Sequence, residues 1–505
     1  MFKKNIIANY ISQIYVTLIG ILLLPLYIKY MGAEAYGLVG FFAMLQAWFG
    51  LLDLGLTPTV ARESARYNAG ALSSLKYRQL YRALSVIFIS IAVIGTSLLY
   101  IFTNKIAVEW LNVTSLNLAD VGLSLKIMAL CVGLRWVCGL YRGVITGSEK
   151  IVWLSVFNSV IATLRFVFVL VSMWIWGFTP VVFFMHQLIV AVIEFLGLWA
   201  KSSQLLPRKL ALASDIGWSL KPIKTVLKFS LTIAFTSMVW VAVTQTDKLV
   251  LSGVLSLEMY GYFTLAILVA NGINIISAPV SNALMPRMAN LQAQSNEPKL
   301  FEIYKSATQL VAVVVSAVSV SLFIVAHPLL LLWTGDVKIA DNAAPILQLY
   351  ALGNGCLALA AFPYYLQYAK GNLYYHFIGN VILLFVLVPS IIFSATYYGA
   401  IGAGYAWLII NASYLLFWVA FVHYKLAPDL HFGWIMNDCL KIVVPVAILG
   451  VLFLFFPFES NGLLWNVFYI LVVSLALLLM AVLSSDKART IVKKQLTKNQ
   501  LLKKN

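Results

Sequence analysis

Two arginines, Arg135 and Arg142, stand seven residues apart in an otherwise apolar stretch, and Arg165 sits in the middle of the next one. Residues seven apart share a helix face, so the first two guanidiniums point the same way. Lys126 lies near the outer end of the same segment as Arg135, and Lys29 near the outer end of the first segment. Ionisable groups at membrane depth are costly and usually face a bundle interior or a water-filled cavity. Five bases with few acids describe a cationic cavity that accepts an anion. The acids are Asp53, with Gln46 seven residues earlier on the same face, Glu194, and Asp247 beside Lys248. For any single pair the competing reading is internal pairing: Asp53 with Arg135 or Arg165, Asp247 with Lys248. For the set, bases outnumber acids and some positive charge stays unpaired. Arg142 is the weakest member, being close enough to the inner surface to snorkel.

Neutral polar groups sit in other apolar segments. Asn5, Asn9 and Gln13 form a stripe with helical spacing in the first. Asn271, Asn274, Asn354, Tyr364, Tyr365, Gln367 and Tyr368 are concentrated in the second half. Amides and stacked aromatics are what a sugar needs, and they are equally the groups that bind membrane helices to one another. With Gln46, Asn9, Gln13, Asn271, Asn274, Asn354 and Tyr365 are the candidates for sugar binding or gating. Asp53, Asp247, Lys248 and Glu194 are available for ion coupling or structural pairing. His186 and His376 read as packed polar residues rather than proton carriers. No metal-ligand spacing, nucleophile motif or phosphate-cradling Gly loop occurs, so neither an enzyme, a metal nor a cofactor is expected.

The elements that hold these groups follow from composition. The chain has 505 residues, 62% hydrophobic and only 10% charged, with a mean hydropathy of +0.92. A soluble domain is nearer half apolar and a quarter charged. Apolar runs of about 20 residues recur throughout, so the chain is an all-α polytopic membrane protein. Fourteen spans are expected, at 7–28, 36–58, 83–103, 121–146, 151–176, 178–199, 227–253, 260–284, 307–333, 343–367, 374–397, 401–423, 440–456 and 463–483. The first is too long for a signal peptide, contains Pro25 and lacks a cleavage site. The net charge of +17 reflects cytoplasmic loops rather than nucleic-acid binding. With the N-terminus inside, most Lys and Arg fall in inner segments and only Lys105 and Lys338 clearly outside, which puts both termini in the cytoplasm. The four cysteines, Cys131, Cys138, Cys356 and Cys439, lie in or at the ends of apolar segments and form no disulfide framework. Pro25, Pro279, Pro363 and Pro389 fall inside spans, where each permits a bend.

The first turn, Glu34-Ala35-Tyr36-Gly37, recurs as Glu258-Met259-Tyr260-Gly261, and the same shift carries Tyr141 onto Tyr365 and Gly147 onto Gly371. Span 1 thereby maps onto span 7. Six spans per repeat give both copies the same orientation, so the halves are parallel repeats. The expected division is a six-helix bundle at 1–200, a cytoplasmic linker at 201–225, a second bundle at 226–425, two extra helices at 426–485 and a basic cytoplasmic tail at 486–505, suited to anionic lipid.

The stretches LLPLYIKYMGAEAYGL, LLDLGLTPTVARESAR and TDKLVLSGVLSLEMYGYFTLA resemble the polysaccharide-export branch of the multidrug/oligosaccharidyl-lipid/polysaccharide exporter superfamily, which includes the Wzx-type O-antigen flippases. The resemblance spans essentially the whole chain. It implies a V-shaped bundle with a central cavity and alternating access. It also implies transport of an undecaprenyl-diphosphate-linked oligosaccharide from the inner to the outer leaflet of the bacterial cytoplasmic membrane. Implied partners are that substrate, membrane lipids, and a polysaccharide polymerase with its chain-length machinery. Arg135, Arg165, Arg142, Lys126 and Lys29 would then meet the diphosphate.

The nearest rival is a cation-extruding multidrug antiporter of the same superfamily, which would want surplus acids in its cavity. A major-facilitator transporter would carry a Gly…Asp-Arg-basic loop after span 2, where this chain reads TPTVARESARYNAG. From another class comes a membrane polymerase, ligase or glycosyltransferase acting on lipid-linked sugar. The longest outer loop, 104–120, holds Glu109 and Asp120 but no catalytic constellation.

Overall fold

The structure is a computed structural model that describes residues 2–53, 55–207, 217, 221–455, 462–491 and 493. The core of the expected linker and most of the basic tail lie outside the described residues. Everything regular is helical; among the described residues the only β-type pairing is one bridge between Asn112 and Ser256. Among the described residues, ten helices are long and apolar enough to cross a membrane, or eleven when a pair bent by 57° counts as one span. The chain is a multi-pass membrane protein.

Packing divides the chain into Met1–Gly261 and Tyr262–Asn505. The first unit opens with α1 (Phe2–Leu22) and α2 (Leu24–Met31), one span broken at Leu23. Pro25 lies in the first turn of α2, where its missing N–H costs least. The bent pair is α3 (Ala33–Leu51) and α4 (Leu56–Asn68). Then come α5 (Ser74–Lys105), α6 (Leu118–Gly147), α7 (Ile151–Phe166), α8 (Phe168–Trp176), α9 (Pro180–Leu205) and α10 (Lys221–Val254). Side-chain caps start α5, α6 and α9: Ser73 accepts from Lys76 N, Asn117 from Ala119 N and Thr179 from Val182 N.

α6 is the most buried of the candidate spans in this unit and packs along α4, α5 and α9. Its glycines make the approach to α4 possible. A Cβ at Gly143 would come within 2.8 Å of Val60 Cβ, and one at Gly147 within 2.1 Å of the Ala61 carbonyl oxygen. Small residues at four-residue spacing let two membrane helices touch backbone to backbone. That contact lays the start of α4 beside the arginines of α6.

The two copies of the Glu-x-Tyr-Gly turn meet each other. Gly261 opens onto Ala33 O and Gly37 N, and Gly37 onto Leu257 O. The loop after α5 ties both copies down. Glu34 accepts from the N–H groups of Thr114 (2.5 Å), Ser115 (2.9 Å) and Leu116 (3.2 Å), and from the Ser115 hydroxyl. Asn112 donates to Gly253 O and Leu255 O, and its own carbonyl accepts from Leu257 N at 3.0 Å. A Cβ added at Gly37 would stand 2.1 Å from the Leu257 carbonyl oxygen, so backbone must move. Gly37→Ala is expected to cost about 1–3 kcal/mol through overpacking. The check is a lower midpoint of thermal unfolding in detergent; an unchanged midpoint would deny the close crossing.

The second unit begins within α11 (Leu257–Ala270). It continues through α12 (Gly272–Ala293), α13 (Glu297–Thr334), α14 (Val337–Ala360), α15 (Phe362–Ala369) and α16 (Tyr374–Ser413). It ends with α17 (Val419–Leu426), α18 (Leu430–Gly433), α19 (Lys441–Leu454) and α20 (Leu463–Ser484). The 53-residue apolar run Tyr374–Leu426 is far longer than a bilayer needs. It is interrupted at Gly399, whose φ of 61° is non-helical. Pro363 follows the break between α14 and α15, whereas Pro389 sits inside α16 without interrupting it. Pro279 falls where side chains lie outside the described residues.

α13 is the spine of this unit, with α12, α14, α19 and α20 packed along it. Fully buried Trp434 donates to Thr308 Oγ1 at 2.8 Å, and Tyr304 Oη meets His423 Nε2 at 2.7 Å. Ile442 and Val446 of α19 and Val473, Leu477 and Ala481 of α20 are fully buried in the same cluster as α13, so the last two helices are part of a core rather than a loose addition.

Candidate functional site

Three helices of the first unit each carry a polar pair seven residues apart: Arg135 and Arg142 on α6, Asn158 and Arg165 on α7, Gln187 and Glu194 on α9. The pairs meet in rungs. Arg135 donates to Gln187 Oε1 at 2.8 Å, and Arg142 to Glu194 Oε1 at 2.5 Å. The equal offset of the two rungs means that α6 and α9 run in the same sense. Arg165 donates to Glu194 Oε2 at 2.7 Å, and Arg142 also reaches Asn158 Oδ1 at 2.8 Å. Arg135 further donates to Gln46 Oε1 on α3 at 3.0 Å and stands 5.1 Å from the Phe42 ring centroid.

The break in span 5 supplies the rest. Where α7 stops at Phe166, three carbonyls lose their helical partners. His186 Nε2 takes Leu164 O (2.8 Å), Gln187 Nε2 takes Arg165 O (3.0 Å) and the Tyr27 hydroxyl takes Phe166 O (2.5 Å). A carbonyl only accepts, so His186 donates from Nε2, and its Nδ1 lies 2.8 Å from the Ser172 hydroxyl. His186 is the packed polar residue the sequence suggests. Gln187, bonded at both ends, fixes Arg135 against the Arg165 backbone.

Two guanidiniums thus grip one carboxylate, and Arg135 stands seven residues along α6 from Arg142, held by Gln187 and Gln46. The Glu194 side chain is 4% exposed, against 32% for Arg142 and 24% for Arg165. Positive charge remains in excess, as the count of bases implied. The Nε groups of Arg135 and Arg165 are buried without a hydrogen-bond partner. Such donors are costly to bury.

The partner of these bases differs from expectation. Asp53 does not pair with Arg135 or Arg165 among the described residues. Its Oδ1 accepts from Thr57 Oγ1 (2.6 Å) and Thr57 N (3.1 Å) in the first turn of α4. A local hydrogen bond four residues along the chain needs little ordering, whereas an ion pair across helices needs both to lean together. Arg142 does not snorkel; it belongs to the cluster. Lys29 and Lys126 do not belong to it: Lys29 is exposed, 5.9 Å from the Tyr30 centroid, and Lys126 lies 5.6 Å from the Tyr100 centroid. Lys126 is nine residues from Arg135, or about 14 Å along the helix. Asp247 and Lys248 pair at 3.2 Å as expected, and Lys248 also reaches Thr244 O.

Gln46, Asp53, Thr57, Arg135 and Trp136 line a cavity of about 300 Å³ between α3, α4 and α6. Asn9 and Gln13 are exposed on α1, which α7 grips through Ser12. In the second unit the expected sugar ligands mostly serve each other. Asn354 donates to Asn271 Oδ1 (3.4 Å) and accepts from Trp407 (3.0 Å). Gln367 accepts from His376 N (2.7 Å) and donates to Pro363 O, and His376 meets Asn380. Tyr365 is buried against Phe362 and Tyr364, and Asn274 is half-buried. Helix-to-helix contact is the reading that fits these groups. Sequence reasoning missed Gln187 and Asn158. Their seven-residue spacing from Glu194 and Arg165, matching that of Arg135 and Arg142, was the available signal.

The chain matches the family model described as "Polysaccharide biosynthesis protein" over residues 2–292. It is 22% identical over 410 residues to a Shigella flexneri protein described as "Putative O-antigen transporter", covering 80% of this chain and 94% of that one. Among solved structures, the lipid II flippase MurJ in an inward closed conformation superposes with a TM-score of 0.73 at 16% identity, covering 98% of this chain and 99% of that one. An inward-facing MATE-family multidrug transporter of the MOP superfamily superposes at 0.67 with 14% identity, covering 82% and 94%. The fold is shared with these transporters, in keeping with the resemblance drawn from the sequence. With more than half its length matched by the model, this chain belongs to the polysaccharide biosynthesis protein family.

Proposed function

We propose that this protein is a flippase that moves an undecaprenyl-diphosphate-linked oligosaccharide from the cytoplasmic to the outer leaflet by alternating access, for assembly of a surface polysaccharide. The observation that carries the reading is the part-buried cluster in which Arg142 and Arg165 share the Glu194 carboxylate while Arg135 stands beside them, held by Gln187, with no second acid. A diphosphate is the anion that would complete it: arginine forks match phosphate oxygens, and two partnerless Nε donors await an acceptor. Family membership and the names of its relatives support a transporter of polysaccharide precursors rather than an enzyme. A cation-extruding antiporter would want the opposite charge here.

The reading includes a bacterial inner-membrane location with both termini cytoplasmic, and fourteen spans. The break at Gly399, together with α10 and the α11–α12 pair, supports that count. It also includes two parallel six-helix repeats joined by the 201–225 linker, and partnership with a polymerase and its chain-length machinery. The membrane potential suits the direction of transport. Moving one charge through 100 mV is worth about 2.3 kcal/mol, so a diphosphate leaving a negative interior gains roughly 4–5 kcal/mol.

The test is reconstitution in vesicles with a fluorescent lipid-diphosphate oligosaccharide. A membrane-impermeant glycosidase reports which leaflet holds the sugar. Protein-dependent exposure that responds to an imposed potential is the expected result. No movement, with longer glycans on the lipid, would point to a polymerase instead.

A further inference from the structure

We propose that Tyr304, His423 and His431 form a pH-sensitive switch at the corner between α17 and α18. A proton taken up by His431 upsets a hydrogen-bond chain and loosens that corner from α13. The proposal stands apart from the transport reading, which supplies only the side of the membrane.

The three side chains make one line. Tyr304 Oη lies 2.7 Å from His423 Nε2, and His423 Nδ1 lies 3.1 Å from His431 Nδ1. They come from α13, α17 and α18 in turn. Tyr304 and His423 are fully buried, whereas His431 is half-buried. Trp434 packs against both histidines, with ring centroids 4.8 Å from His423 and 6.2 Å from His431. The line therefore runs from the core of the second unit to its surface.

Only one order of protons satisfies it. The Tyr304 hydroxyl has no other partner among the described residues. A buried hydroxyl needs an acceptor, so it donates to His423 Nε2. A neutral imidazole carries one proton, so that of His423 sits on Nδ1 and is donated to His431 Nδ1. His431 then keeps its own proton on Nε2.

One more proton breaks that order. With both nitrogens protonated, His431 can only donate from Nδ1. If His423 keeps its proton on Nδ1, two N–H groups face each other. If His423 carries it on Nε2 instead, it donates to Tyr304 Oη, and the hydrogen of the Tyr304 hydroxyl is left without an acceptor in the core. A buried hydrogen bond left unmade is costly. Either state weakens the hold of α17 and α18 on α13. Histidine changes charge between about pH 5 and 8, so the switch works near neutrality.

The neighbouring titratable groups serve other partners. Among the described residues, His431 is the one whose charge acts on His423. Asp438 and Cys439, on the π-helical turn Trp434–Leu440, and Tyr365 on α15 face Tyr304. Asp438 accepts from Gln309 at 2.7 Å, and Lys305, Lys441 and Asp486 lie around it. Lys425 on α17 stands over the rings of Phe421 and Tyr424, and Asp429, exposed before α18, caps nothing.

The corner leads through that π-helical turn into α19 and α20, which pack on α13. Loosening it frees the last two helices from the spine at one end. With the C-terminus cytoplasmic and two spans after the corner, as proposed above, the signal is an acid cytoplasm.

The test is amide hydrogen exchange of the full-length protein in detergent, read on peptides covering 419–440 and corrected for the intrinsic effect of pH on exchange. Wild type is expected to exchange on the order of tenfold faster at about pH 5.5 than at about pH 7.5. His431→Gln keeps an acceptor for His423 Nδ1 but takes no proton, so its exchange should stay slow at both. Asp438→Asn should keep the wild-type response. Equal wild-type rates overturn the switch, and so does an acid response retained in His431→Gln. Fast exchange of His431→Gln at both pH values also overturns it, because the ring then only packs. Loss of the response in Asp438→Asn would assign the proton to the carboxylate instead. A second reading needs no substitution: the ring 15N shifts of wild-type His423 should report a proton on Nδ1 at the higher pH and change as His431 titrates. A His423 ring indifferent to that titration overturns the chain.

Discussion

Arg165→Ala is expected to bring export to background while the protein still inserts in the membrane. Arg165 Nη2 holds Glu194 at 2.7 Å, and its Nε is buried without a partner. Removing the side chain takes away one charge and the free donor from the proposed diphosphate site. A hydrogen bond to a charged group contributes about 1.5–3 kcal/mol, so deleting one such bond to the diphosphate weakens binding by roughly ten- to hundredfold. Insertion should survive because Glu194 keeps Arg142 at 2.5 Å. Arg135→Ala should give the same phenotype. Arg135→Lys should recover little, since one ammonium on a flexible stem cannot bridge Gln46 and Gln187 as the planar fork does. The measurement is surface polysaccharide in cells lacking the native gene, with membrane levels of each variant determined in parallel. Full export by both alanine variants would remove the cationic site.

Glu194→Ala is expected to be the most destabilising change in the first unit. Its carboxylate, 4% exposed, is the shared anion of Arg142 and Arg165. Deleting one partner of a buried ion pair typically costs about 3–5 kcal/mol, because the remaining charge is left uncompensated. Here two guanidiniums are left, with Arg135 nearby on α6. Glu194→Gln should fall between, retaining an acceptor but no charge. Thermal unfolding in detergent is the check. Inorganic diphosphate should raise the midpoint of the alanine variant more than that of wild type, because a ligand that binds only the folded state stabilises it. A Glu194→Ala midpoint equal to wild type would mean that the carboxylate neutralises nothing.

These two substitutions separate roles that look alike in the sequence. On the proposed reading, Arg165 serves the substrate and Glu194 the cluster that meets it. The seven-residue spacing of Arg135 and Arg142 places them on one face correctly, because helical periodicity is local. Gln187 and Asn158 escape notice because an amide in an apolar segment looks the same whether it holds an arginine or a backbone. Asp53 is matched with the wrong bases. Nothing in its neighbourhood says whether it leans across to α6 or back to Thr57, and the glycine contacts of α4 on α6 make that choice.

The sequence alone determined that this is a polytopic helical membrane protein, where the Glu-x-Tyr-Gly turn recurs and that arginines outnumber acids among its apolar segments. Each of these depends on hydropathy, helical period or composition, and a helix in lipid satisfies its backbone within its own segment. Only the tertiary structure decided that Glu194 serves Arg142 and Arg165, that Lys29 and Lys126 stand apart, and that the two Glu-x-Tyr-Gly turns touch through Gly37 and Gly261. Those outcomes depend on how closely two helices approach and in which register, and both are set by contacts between residues far apart in the chain.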